Sequence, residues 1–152
     1  MKSKEKHELK TYLLVLAPLA LGRIINTPIM GYYFPFIFSL AFLGFWFWVG
    51  MKFYRLSIRK LWALVIGNSL NLISFLMYIW SFYIVSEANR SLLVAGWSQL
   101  YPVPTLSISA RIYRLTNPEV LTGKYVIISF ILMSLVFIAG FFFEAKNSKS
   151  KD

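Results

Sequence analysis

MKFYRLSIRK, residues Met51 to Lys60, is the stretch whose reading decides the fold. Its four cations, Lys52, Arg55, Arg59 and Lys60, stand without an acidic residue between an aromatic run that ends at Gly50 and an apolar run that starts at Leu61. Such a stretch stays in water or among lipid headgroups, so it reads as a basic hinge between two membrane-spanning helices.

The bulk composition around the hinge agrees. The chain has 152 residues, of which 58% are hydrophobic, 18% aromatic and 14% charged, with a mean hydropathy of +0.62. That is too apolar for a soluble domain of this length, and it leads us to expect an all-α integral membrane protein, one membrane domain over residues 1–152. The length holds roughly four crossings of about 20 residues and leaves no room for a separate soluble catalytic domain. The net charge of +10 and pI of 9.9 would point to nucleic acid in a soluble fold. Here the cations gather at the ends of apolar runs, the pattern of the positive-inside rule, and no nucleic-acid partner is expected. With no cysteine, disulfides, thiolate metal sites and cysteine nucleophiles are excluded.

Upstream of the hinge, Tyr32 to Met51 carries no charge and is long enough to cross. Tyr32, Tyr33, Trp46 and Trp48 suit interfacial belts, Pro35 falls in the first turn, and Ala41 with Gly44 makes a face narrow enough for a neighbouring helix. The many phenylalanines are expected to face lipid. Further upstream, Thr11 to Gly22 is short for a crossing. One reading makes it the apolar region of a signal peptide cleaved after Ala20 and Gly22. The preferred reading continues the helix to about Thr27, with Pro18 bending it, Arg23 at the outer headgroups and Pro28 ending it. The lead-in MKSKEKHELK is expected as a solvated basic tail.

Downstream, the run from Leu61 to about Val85 contains a polar pattern. Gly67, Asn71, Ser74, Tyr78 and Ser81 recur at spacings of four and three, one face of a helix, with Asn68 one step round. An amide on that face must meet protein or water, so the face is a candidate for helix-helix contact or for a pathway. The connection from Ser86 to Gly123 is too long and apolar for a simple turn. Leu93, Trp97 and Leu100 or Tyr101 suggest a short amphipathic helix capped by Ser86; Leu106 to Ile112 alternates as a strand would, although Thr105 also suits a helix cap. The last run, Tyr125 to Phe143, is apolar apart from Ser129 and Ser134, which a helix can satisfy against its own backbone. The EAKNSKSKD tail is expected to be flexible.

The charges then select a topology. Eleven of the sixteen cations lie in the N-terminal lead-in, the hinge and the C-terminal tail. Four transmembrane helices as two hairpins, at about 11–27, 32–51, 61–85 and 125–143 with both ends cytoplasmic, put all eleven on one side. The outer loop 86–123 then carries an interfacial or re-entrant helix, turning at Pro102 and Pro104. The setting expected is a bacterial plasma membrane.

None of the six acidic residues falls in an expected span, and the single histidine, His7, is in a tail, which disfavours proton-driven transport and triad or metal chemistry. No cofactor or metal site is expected. On the outer side, Arg23, Trp97, Gln99, Arg111 and Arg114 are candidates for binding, since Arg111 and Arg114 would share a helix face and grip a lipid phosphate. The function expected is non-enzymatic: an interaction or accessory subunit that binds a membrane partner, or itself, in the bilayer. The alternative is an oligomeric transporter or channel lined by Asn68, Asn71, Ser74 and Tyr78; a lipid-modifying enzyme ranks third.

Overall fold

The computed structural model describes residues 2–25, 35–116 and 123–149. Of the described residues 90% are helical and none is in a strand. The helices are α1 (Lys2–Leu13), α2 (Ala17–Ile25), α3 (Pro35–Tyr54), α4 (Lys60–Ile79), α5 (Leu92–Leu100), α6 (Leu106–Thr116) and α7 (Lys124–Lys149). A π turn, Trp80–Ile84, prolongs α4. Three of these segments are long and apolar enough to cross a membrane, Pro35–Tyr54, Lys60–Ile84 and Lys124–Lys149. They mark the chain as a membrane protein.

The first expected crossing is not one regular helix. The basic lead-in is helical rather than a loose tail, and a 3-10 turn at Leu14–Leu16 separates α1 from α2. Pro18 causes that break: it has no N–H, and its ring presses on the carbonyl four residues back, at Leu14. Pro18 is fully buried, so the bend faces the bundle. The residues expected to end this helix, Asn26 to Pro28, lie outside the described residues, as do Tyr32 and Tyr33. Pro35 opens α3, where a missing N–H costs nothing.

The centre of the bundle is the crossing of α3 and α7. Glycines let these two backbones touch. A Cβ on Gly50 would stand 2.2 Å from the Phe137 carbonyl oxygen, and one on Gly140 would stand 2.0 Å from that of Phe47. Ala41 and Gly44, the expected narrow face, are instead exposed, with nothing within 4 Å of a Cβ on Gly44. Phe137 fills the space between three helices: its ring meets Phe53 and Trp46 on α3 and lies where a Cβ on Gly67 of α4 would be. Trp46 is 0% exposed and donates from Nε1 to the Met133 carbonyl at 3.1 Å, so it is a core residue and not part of a belt. Trp48 is the exposed indole of that helix. The described phenylalanines of α3 are all buried or half-buried, because Trp46, Phe42 and Phe53 stack inward; Ile37, Leu40 and Trp48 carry its exposed surface. Phe42 and Phe53 thus depart from the expectation of phenylalanine facing lipid, while Phe36, Phe38, Phe45 and Phe47 keep part of their surface exposed.

The long connection is a helical hairpin, α5 and α6, joined by Tyr101, Pro102 and a 3-10 turn at Val103–Thr105. Leu106 to Ile112 is helix, which settles the strand-or-helix choice. Ser91, not Ser86, caps α5: its Oγ accepts from the Val94 N–H. The turn is among the most buried parts of the molecule, with Tyr101, Pro102, Pro104 and Thr105 all enclosed. Helix α5 packs on α4 and α2, α6 packs on α7 and α3, and the turn between them reaches α2, α3 and α7. Gly22 makes room for it, since a Cβ there would stand 2.0 Å from the Leu100 carbonyl oxygen.

At the other end of the molecule α7 continues to Lys149, well past Phe143, so most of the expected flexible tail is helix. Glu144 is buried on that extension.

Candidate functional site

At the hinge, most of the cations have partners within the chain. Arg55 grips Glu144 with both arms of its guanidinium, Nε to Oε1 at 2.8 Å and Nη2 to Oε2 at 3.0 Å. Hydrogen bonding to Glu144 raises the Arg55 pKa against the opposing cost of burial. Lys60 bonds the carbonyls of Tyr54 and Leu56, which closes the exposed end of α3, and lies over the Tyr54 ring. Lys52 stands 5.0 Å above Trp48. Ser57 bonds Glu8 of α1. The hinge is a clasp on the first and last helices.

The polar face of α4 turns onto α7. Gly67, Asn71, Ser74, Tyr78 and Ser81 are all buried. Asn71 is 3% exposed and spends both of its amide hydrogens on α7, donating to the Phe130 carbonyl at 3.0 Å and to Ser134 Oγ at 2.7 Å. Tyr78 donates to the Gly123 carbonyl at 2.9 Å, where α7 begins. Asn68, one step round, donates to the Leu64 carbonyl of its own helix at 3.1 Å. The amide oxygens of Asn68 and Asn71 are buried and accept nothing among the described residues.

Asn68 and Asn71 help to line a groove of about 580 Å³ that runs between α4 and α7 and opens on the outside of the bundle. Its walls are apolar, with Val65 and Leu72 on α4 and Ile131, Leu135 and Ile138 on α7; its polar lining is Asn68, Ser69, Asn71 and Ser134. Val65, Leu72, Ile131 and Leu135 are each at least half exposed. The groove can therefore take an apolar body.

The candidates at the opposite end do not form one cluster. Arg111 lies 4.0 Å over the Phe36 ring, a cation–π contact. Arg114 is exposed on the same helix, α6. Trp97 and Gln99 are exposed on α5, the other arm of the hairpin, and Arg23 is exposed on α2 beside it. Arg90 is tied down, donating to the Ser81 carbonyl at 2.9 Å and lying over Phe82.

Sequence reasoning missed three features. Ser129 and Ser134 were expected to bond their own helix. Instead Ser129 donates to the Pro102 carbonyl at 2.9 Å and meets Thr105, while Ser134 receives Asn71. The Pro102 carbonyl also accepts from the Thr105 N–H at 3.0 Å and hydroxyl at 3.1 Å, so the buried turn is satisfied by side chains. Glu144 was placed in a solvated tail because a single carboxylate after an apolar run looks like a terminus. Its pairing with Arg55, 89 positions away, leaves no local signal. Among the described residues no group of three metal-ligating side chains comes together. Comparison of the chain with family models, with curated proteins and with solved structures finds no match.

Proposed function

We propose that the chain is a four-span protein of the bacterial plasma membrane that works by binding a membrane partner and not by catalysis. The observation that carries this reading is the open groove between α4 and α7, with Asn68, Ser69, Asn71 and Ser134 set among apolar walls. In a bilayer polar side chains are disfavoured against lipid and small or polar residues mark helix contacts, so a protein helix suits this lining better than acyl chains do. In this reading α1 with α2 makes the first crossing, both ends are cytoplasmic, and the α5–α6 hairpin is re-entrant from the outer side. The buried, side-chain-satisfied proline turn supports that last point, since irregular backbone at depth is tolerated where protein encloses it. The transporter alternative has less support, because Asn71, Ser74 and Tyr78 are buried within the one chain and leave Asn68 to line a shared path.

Two measurements test the reading. With no native cysteine, Ser57→Cys and Ser148→Cys should react with an impermeant thiol reagent from the cytoplasmic side only and Trp97→Cys from the outer side only; any other pattern overturns the topology. A photo-reactive residue at Leu135, activated in native membranes, should join to protein; adducts with lipid alone would overturn the interaction role.

A further inference from the structure

We infer that the hinge end of the bundle binds the phosphate of an anionic phospholipid, gripped by the open donors of the Arg55 guanidinium and drawn by Arg59 and Lys146. The inference stands on the three helices long enough to cross a bilayer and does not depend on the interaction role. Arg55 is prepared for such a ligand. Glu144 takes the Nε hydrogen and one Nη2 hydrogen, which fixes the guanidinium plane and leaves three of its five N–H groups unspent. The Glu144 side chain is 10% exposed and that of Arg55 56%, so the carboxylate is enclosed while the arginine is reachable from outside. A planar fork already held in place loses little freedom on meeting a phosphate, and paired N–H groups match two phosphate oxygens.

The charge around it is one-sided. Glu8 of α1 bonds Ser57 and Glu144 of α7 bonds Arg55, so both helices bring their cations to the hinge. Lys10, Arg59 and Lys146 are exposed there, and none pairs with a carboxylate among the described residues. Glu8 and Glu144 are both engaged already. A positive surface without counter-charge calls for an anion. The adjoining surface gives that anion a lipid tail. Phe142 and Phe143, 59% and 49% exposed, immediately precede Glu144, and the Phe143 ring meets Phe47 of α3. Lys52 lies over the exposed Trp48 and Lys60 over Tyr54, ring and cation pairs that suit the level where hydrocarbon gives way to headgroups. A lipid whose phosphate meets Arg55 lays its chains along these rings. Inorganic phosphate or an acidic protein segment would use the cations and leave that apolar surface uncovered.

The test places the full chain in phosphatidylcholine vesicles with a trace of spin-labelled phosphatidylglycerol or spin-labelled phosphatidylcholine, and compares the motionally restricted fractions. At low salt the chain should prefer phosphatidylglycerol about tenfold. Exchanging the ion pair for an amide pair, Arg55→Gln with Glu144→Gln, keeps the net charge and should lower the preference about fivefold. An unchanged preference would overturn the inference, since attraction by net charge alone survives that exchange. Arg59→Gln should lower it by a similar factor and Arg59→Lys restore it, whereas Lys124→Gln, at the other end of α7, should leave it as it is. Loss of helical content in the double variant would leave Arg59→Gln to decide. Equal restriction of both lipids, or an equal loss in Lys124→Gln, would overturn the inference. Millimolar inorganic phosphate at constant ionic strength should not displace the lipid; full displacement would mark a free-anion site and overturn it. So would adducts with protein alone from a photo-reactive residue at Lys146 in native membranes, the mark of an acidic protein partner.

Discussion

Helix α7 packs against α3, α6 and α4, and it meets the first and the last of these differently. Against α3 it brings Gly140 under the Phe47 carbonyl and receives Gly50 under its own Phe137 carbonyl, with Trp46 bonding the Met133 carbonyl. Against α4 it offers a backbone carbonyl and Ser134 to the Asn71 amide, then parts from α4 to leave about 580 Å³ of open groove. The first contact is dry, close and complete. The second is polar, looser and has acceptors left over. In a bilayer, where lipid is as apolar as leucine, close packing and internal hydrogen bonds must do what hydrophobic burial does in water. The α3–α7 contact uses close packing, and the α4–α7 contact uses hydrogen bonds and leaves an open groove beside them.

Breaking the two contacts separates them. Gly140→Val should have the largest effect, more than about 3 kcal/mol, because the added carbons meet a backbone carbonyl that cannot rotate away. Reversible unfolding in mixed micelles measures it, and a loss below about 1 kcal/mol would show that the helices separate freely. Asn71→Leu should cost less, about 1–2 kcal/mol for two interhelical hydrogen bonds, read by the same unfolding curve. If it matched Gly140→Val, the polar contact would be as central as the dry one. Gly44→Ala sharpens the comparison from outside: with nothing within 4 Å of the new methyl, it should change stability by less than about 0.5 kcal/mol. A large loss there would reveal a neighbour on the exposed face of α3.

Much of the helical layout was legible. Charge-free runs marked α3, α4 and α7, and Pro18 marked the break between α1 and α2, because these follow from local chemistry. Helix ends were less legible. Tyr54, Lys60 and Lys149 extend the helices into stretches that look like loop or tail, since Lys60 closes α3 and Arg55 holds Glu144 from a distant part of the chain. For the candidate site, polar residues spaced by three and four identified a face of α4, but not that Asn71 would spend its amide hydrogens on α7 while Asn68 bonds its own helix. The same limit applies to glycine. Gly44 and Gly140 sit in similar aromatic sequences, GFWF and GFFF, yet one is open and the other lies against a carbonyl.

By itself, then, the sequence determined that the chain is helical, that its long helices are apolar enough for a bilayer, and that one helix carries a polar stripe, because hydropathy and helical period are properties of neighbouring residues. The tertiary structure decided that Phe137 would be the centre, that the proline turn would be enclosed with its carbonyl satisfied by Ser129 and Thr105, and that the groove would open between α4 and α7. Those outcomes depend on which helices meet and how closely, and a backbone approach between residues some ninety positions apart is written in no single stretch of the chain.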